Sequence, residues 1–335
     1  MAQCPGRPPR LSCLLCPPAG CRPGLSIMDL TAYLHTFGHY LKRRHGQAVH
    51  KLSLTGDFTC PNRDGTLGRG GCTFCNVKSF GRDAGTLSIS EQITREKGKT
   101  DRARRYLAYF QAYTSTYAEV SRLRQLYDEA TASADVVGLC VGTRPDCVPD
   151  SALELLASYQ AAGKEVWLEL GLQTAHDHTQ RRIHRGHTLA DYRDALRRAQ
   201  QHGLKVCTHL IAGLPGEDAA DVHATLETVL EIGVQGLKLH PLMIVRGSRM
   251  AAQYPRGEVS AMALDDYASL AASLIRHTPP EVVFHRIAAT AQAPTLIAPD
   301  WCGSRWSALQ AIAALLARDG GQGSALGDGW PARTA

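Results

Sequence analysis

From residue 48 onward the chain repeats one unit, an apolar strand, a loop and an amphipathic helix, and this repetition limits the folds open to it. Strands are predicted at His50–Thr55, Tyr106–Ala112, Val136–Gly142, Val166–Leu172, Val206–Ala212 and Gly236–Leu242. Helices are predicted between them at Ala118–Ala132, Ser151–Ala162, Leu189–His202 and Ala220–Ile232, with Gly163, Gly203 and Gly233 where helix C-terminal caps belong. Apolar strands joined by helical crossovers make a parallel sheet covered by helices. Polar residues recur at the strand C-terminal ends: Thr143-Arg144, Gln173-Thr174, Gly213–Glu217 and His240. Convergence of those ends on one mouth favours a curved sheet over a flat one. The fold class expected is therefore α/β, a partial (β/α)6 TIM-like barrel, over residues 28–255.

The flanks differ. Residues 1–27 hold Pro5, Pro8, Pro9, Pro17, Pro18 and Pro23, which break any regular pattern, and Met28 follows them. This segment is expected to be disordered or to precede the true start, with a zinc knuckle from Cys4, Cys13, Cys16 and Cys21 as the alternative. A helix is predicted at Leu30–Arg44. Residues 256–335, with a helix at Leu264–His277, a strand at Val282–Ile287 and a helix at Arg305–Arg318, read as a small C-terminal α/β appendage on the barrel.

Composition closes off some classes. No apolar run approaches the ~18 residues of a membrane span, and no secretory signal is evident. The cytoplasm is the expected compartment, where the 11 cysteines imply metal or redox chemistry before disulfides. The net charge of +6, concentrated partly in Arg7, Arg10 and Arg22, permits a nucleic-acid partner without requiring one.

The stretch that carries chemistry is Cys60-Pro-Asn-Arg-Asp-Gly-Thr-Leu-Gly-Arg-Gly-Gly-Cys72-Thr-Phe-Cys75-Asn, directly after the first strand. Three thiolates from one loop hold three corners of a [4Fe–4S] cluster and leave the fourth iron open. Gly65, Gly68, Gly70 and Gly71 let the backbone fold tightly around such a group. The same thiols suit zinc, with His50, Asp64 or His209 as fourth ligand, and Cys72 with Cys75 suits a redox pair.

This loop, together with Tyr109-Phe-Gln-Ala-Tyr-Thr-Ser-Thr-Tyr117, Val141-Gly-Thr-Arg-Pro-Asp146, Leu170-Gly-Leu-Gln-Thr174, His184-Arg-Gly-His187 and His209-Leu-Ile-Ala-Gly-Leu-Pro-Gly-Glu217, resembles the YhcC family of radical S-adenosylmethionine proteins over residues 29–330. The resemblance implies a radical SAM barrel with Cys60, Cys72 and Cys75 on a [4Fe–4S] cluster, and S-adenosylmethionine cleaved reductively to a 5′-deoxyadenosyl radical. The spacing departs from the Cys-x3-Cys-x2-Cys of the wider superfamily, because eleven residues separate Cys60 from Cys72.

By the same resemblance Phe74 packs beside the cluster and adenine. Tyr109, Gln111 and Tyr113 lie where relatives contact the methionine amino group. Glu169, Gln173 and Arg185 lie where ribose and carboxylate are held, and Ile211 and Gly213 lie against adenine. The implied partners are a reductase or a flavodoxin- or ferredoxin-type electron donor, and a tRNA whose wobble uridine side chain is modified. A small-metabolite substrate is the alternative within the class, and a non-catalytic zinc-binding RNA protein the alternative outside it.

Several residues have two readings. Glu169 is also expected as a buried, paired acid, and Glu217 as a helix N-terminal acid. His176, His178, His184 and His187 suit solvated loop positions or a second metal. Lys238 and His240 are candidates for touching substrate; Cys140 and Cys207 suit the core, and Cys147 and Cys302 loops. The basic runs Lys42-Arg43-Arg44, Arg102-Ala-Arg104-Arg105 and Arg197-Arg198 suit phosphate contacts or solvated helix faces.

Overall fold

The computed structural model describes residues 30–76, 86–99 and 104–327. The predicted N-terminal extension, its four cysteines and Arg102 lie outside them. In chain order the elements that place the site are α1 (Phe37–His45), β1 (Val49–Leu54), α2 (Pro61–Asp64), α3 (Ile89–Lys97), β2 (Arg105–Phe110), α4 (Val120–Thr131), β3 (Val136–Thr143), α5 (Asp150–Ala161) and β4 (Glu165–Gln173). There follow α6 (Asp177–Arg182), α7 (Leu189–Gln201), β5 (Lys205–Ala212), α8 (Ala219–Ile232), β6 (Gly236–Pro241), β7 (Ile244–Val245), α9 (Met250–Gln253), α10 (Leu264–Arg276), β8 (Val283–Arg286), β9 (Leu296–Ala298) and α11 (Arg305–Asp319).

The main sheet has seven strands in the order β1-β2-β3-β4-β5-β6-β8, each neighbouring pair parallel. One more strand is present than the six expected: the short run after residue 255 adds β8 to the edge of β6. Four residues of strand carry too little pattern for their partner to be read from sequence.

The strands divide their residues between two faces. Leu52, Leu54, Ala108, Phe110, Leu139, Val141, Leu168, Leu170, Val206, Leu210, Leu237 and Leu239 join the large apolar core with residues of α4, α5, α7, α8 and α10. The residues between them face the barrel interior, which is apolar only at its lower end. There Phe37 and Leu41 of α1 pack with Leu107, Val137, Trp167 and Val283. Phe37 also stacks on His285 with ring centroids 3.8 Å apart.

The first predicted helix starts later than expected. Thr36 has extended backbone, bridges Phe284 of β8, and caps α1 by accepting from the His39 N–H at 3.2 Å. Pairing with the sheet edge therefore takes Thr36 out of the helix, while Leu30 and Leu34 pack into the core ahead of it.

Candidate functional site

The cysteine loop leaves β1 at the mouth of the barrel and is fastened at several points. Asn62, buried, donates from Nδ2 to the carbonyls of His184 (2.9 Å) and Arg185 (2.8 Å) and lies 3.6 Å from the Cys72 sulfur. Arg63 donates to the Cys75 carbonyl (3.0 Å), and the Thr73 N–H donates to Ile183 (3.0 Å). Gly70 and Gly71 have φ of 88° and 79°, and a Cβ on either would lie 2.9 Å or 2.8 Å from Arg249 and Arg63. The positive φ is what calls for glycine at both, since the arginine side chains can move aside.

This arrangement turns Cys60, Cys72 and Cys75 into one cavity of about 240 Å³. Its wall holds Arg63, Arg144, Arg185 and Lys238 and, among the described residues, no aspartate or glutamate. Burial alone would raise the Cys72 thiol; the Arg185 charge, hydrogen bonds from Arg185 and Asn62, and the Arg144 charge outweigh it and hold the thiol below its ordinary value. Burial and the neighbouring Cys72 push Cys75 the other way. Arg185 reaches the Gly171 carbonyl (2.6 Å) and Cys72 sulfur (3.4 Å), and its buried Nε has no partner. Arg144 forms a two-point pair with Asp146 (3.0 and 2.8 Å), leaving its buried Nη1 without one. The residues other than glycine with left-handed backbone among those described are Tyr113 (φ 63°), Gln173 (φ 78°) and His184 (φ 54°), and Tyr113 and Gln173 line this cavity. Strain of this kind is held where surrounding structure enforces it, as at binding sites.

Residues 64–229 match the model of the radical SAM superfamily, and residues 234–318 that of the Radical_SAM C-terminal domain. Protein YhcC of Escherichia coli K12 is 57% identical over 304 residues, covering 90% of this chain and 98% of that protein. The chain belongs to the YhcC family of radical S-adenosylmethionine proteins. A more distant relative is the tRNA uridine(34) acetyltransferase of Dehalococcoides mccartyi, 29% identical over 160 residues, covering 47% of this chain and 34% of that protein. Among solved structures, the archaeal Elp3 of Methanocaldococcus infernus superposes with a TM-score of 0.56 over 74% of this chain and 58% of that one, at 17% identity. That last likeness concerns the fold.

Radical SAM proteins bind a [4Fe–4S] cluster and S-adenosylmethionine, and the YhcC-type cavity suits both. Its donor set is three thiols, and the buried, unpartnered nitrogens of Arg185 and Arg144 call for an anionic group. A single zinc ion fits less well. Four ligands at ~2.3 Å from one ion stand under ~4 Å apart. Donor groups lying within 4.8 Å of one another do occur among the described residues, as Cys140, Glu169 and His285 and as Glu169, Cys207 and His209, but the three loop thiols do not form one.

Of the residues expected at the cofactors, the cavity brings together Phe74, Tyr109, Gln111, Tyr113, Gln173, Arg185 and Ile211 with the three cysteines. Two expectations fail in placement. Glu169 lies beneath the cavity with both oxygens engaged: Oε1 accepts from Lys51 (2.9 Å) and His285 (3.1 Å), Oε2 from Lys238 (2.8 Å) and His209 (2.9 Å). It has no free oxygen to offer a ribose. Gly213 (φ 87°) faces Met262 and Leu242 and does not line the cavity.

The loop histidines do not form a metal-binding group among the described residues. His176 bonds the Asp221 backbone, His184 meets Arg249, and His187 is buried rather than solvated. Cys147 and Cys302, expected in accessible loops, are buried outside the cavity. Arg44, Arg197 and Arg198 are committed to Glu165, Asp194 and Asp150, which agrees with solvated faces more than with phosphate contacts. Asn62 and Arg63 were not singled out from sequence; their one signal is a position inside the cysteine loop.

Buried histidines give the chain an acid limit. Burial is the first cause in each case and lowers His187 to about 2, His285 to about 3 and His209 to about 4. All three are neutral when folded, whereas an unfolded chain protonates them below pH ~6.5. Their stabilisation is therefore complete above that pH and is lost as pH falls toward the folded values, by up to ~1.4 kcal/mol per pH unit per histidine. Thermal midpoints of the chain from pH 8 to pH 5 are expected to hold steady above 7 and drop steeply below 6.

Proposed function

We propose that Cys60, Cys72 and Cys75 carry the [4Fe–4S] cluster, that Arg185 holds the carboxylate of S-adenosylmethionine, and that the substrate is a tRNA, modified on the side chain of its wobble uridine. The observation that carries the cofactor part is the meeting of three thiols and two buried arginines with unpartnered donors in one cavity. When bound and reduced, the cluster supplies homolytic cleavage of the sulfonium bond. The protein's part is to orient and enclose. Arg185 offers a directional pair for a carboxylate. Phe74 and Ile211 supply apolar walls, with Phe74 packed against the cluster of Ile211, Leu214 and Leu242.

The RNA part rests on kinship with the tRNA uridine(34) acetyltransferase over the segment they share. A radical reaction also requires an electron donor of the flavodoxin or ferredoxin type. Among the described residues no helix is long and apolar enough to cross a membrane. The test is to incubate the reconstituted, reduced protein with tRNA from cells lacking this gene and to analyse the nucleosides by mass spectrometry. A mass change at the wobble uridine supports the reading. Unchanged tRNA alongside turnover of S-adenosylmethionine overturns it in favour of a small-molecule substrate.

Gly171 offers a local test of Arg185. A Cβ there would lie 2.7 Å from Arg185 Nη2 and 2.8 Å from Gln173 Nε2. Gly171→Ala is expected to displace the guanidinium and weaken S-adenosylmethionine binding about tenfold, equivalent to ~1.4 kcal/mol, as measured by calorimetric titration of reconstituted protein. Unchanged affinity would remove Arg185 from the site.

A further inference from the structure

We propose that the part of the cavity floor built on β5 and β6 is a subsite for an anionic group of the substrate, a carboxylate or a phosphate. The proposal rests on the cavity being the site of reaction and adds the chemical class of what enters it.

Strand register builds the subsite. His209 is the neighbour of Lys238 across β5 and β6, and Lys238 is the neighbour of Arg286 across β6 and β8. The register shift after Leu237 brings Arg286, rather than His285, level with Lys238. Such irregularities re-aim side chains at the edges of sheets and beside active sites. His240 stands two residues above Lys238 on the same face of β6. His209, Lys238 and His240 all line the cavity.

Charge decides the ligand. The one acid at this level is Glu169, shared by Lys51 and Lys238. Arg286, half-buried on β8, lines a neighbouring pocket with Phe37 and His285 rather than this cavity; it has no carboxylate partner among the described residues, and no described carboxylate lines the cavity. Lys51 and Lys238 share the single carboxylate of Glu169, and the Arg286 charge stands beside Lys238 on the next strand, so positive charge is in excess at this end, apart from the Arg144 and Arg185 nitrogens assigned to the cofactors. A buried cation short of counter-charge, as Lys238 is here, is costly. His240 Nε2 is also buried without a partner. The titration of these groups reflects the same excess: burial first, then Arg286 and Lys51 against the opposing pull of Glu169, bring Lys238 down to about 8. Burial and then Arg286 hold His240 well below its ordinary value. The cysteine loop follows β1, which β2, β3, β4 and β5 separate from β6 in the sheet, and this leaves the β6 end for substrate.

The test uses the full chain reconstituted with cluster and S-adenosylmethionine, so that Arg185 is engaged. Anaerobic thermal unfolding is compared in sodium phosphate, sodium acetate and sodium chloride at equal ionic strength. Phosphate or acetate is expected to raise the midpoint by about 3 °C beyond chloride, and whichever acts identifies the group. His240→Gln, at a residue that lines the cavity without touching Glu169, is expected to lose that increment, and Arg286→Leu, which removes a charge beside Lys238, to lower it. No anion-specific increment in the wild type, or an increment that survives in both variants, overturns the proposal. Because no RNA is present, failure of the tRNA reading leaves this result untouched.

Discussion

A Cys72→Ala chain, reconstituted without oxygen, is expected to form no measurable 5′-deoxyadenosine from S-adenosylmethionine and dithionite, against steady formation by the wild type. Cys72 is the most deeply buried of the three loop thiols and is held by Asn62 and Arg185. Three protein ligands leave none to spare. Loss of an outer partner of a metal ligand already costs 10–100-fold, so removal of the ligand is expected to exceed ~100-fold. Cys302→Ala is the matched control, since Cys302 is fully buried and lies off the cavity. Iron content, absorbance near 400 nm and product formation should follow Cys72 and ignore Cys302. Wild-type turnover by Cys72→Ala would overturn the ligand assignment.

The second large effect concerns stability. Glu169→Gln is expected to cost about 3–5 kcal/mol, the price of breaking a buried ion pair from one side. Burial would raise the Glu169 carboxyl, but Lys238, Lys51 and the hydrogen bonds of His209 and His285 hold it well below the usual range. Glutamine keeps the shape and removes the charge, so Lys51 and Lys238 lose their shared counter-ion inside the barrel. Urea unfolding measures the difference, and Glu169→Gln combined with Lys238→Met should recover part of it. A cost under ~1 kcal/mol for the single substitution would mean that solvent reaches this layer.

Much of this architecture is legible in the sequence because it is local. Val136–Thr143 and Glu165–Gln173 read as strands from their own apolar content, and the Cys72-Thr-Phe-Cys75 turn shows its thiols at a glance. The cavity residues on β2 and the Gln173 end of β4 follow from alternation once the mouth is located. What stays hidden depends on distant partners. Glu169 is recognisable as an acid in an apolar strand, but its four donors come from β1, β5, β6 and β8. Arg286 comes level with Lys238 through a register shift that no periodicity announces. Thr36 leaves a helical pattern for a bridge to Phe284, a residue far along the chain.

That bridge has a consequence for how the protein is made. Residues from the two ends of the described chain meet along one seam: Thr36 pairs with Phe284, the His35 N–H donates to Gln322 Oε1 (2.7 Å), and the Gln322 N–H donates to the Tyr33 carbonyl (2.7 Å). On the ribosome, α1 emerges before every strand it packs on, and its cover by Leu107, Val137 and Trp167 is completed only when β8 brings Val283 and His285. Such late, long-range closure slows folding and leaves apolar surface open during synthesis. The nascent barrel is thus a hoop whose clasp is cast at the start and fastened at the end, and truncation at either end should release the same clasp.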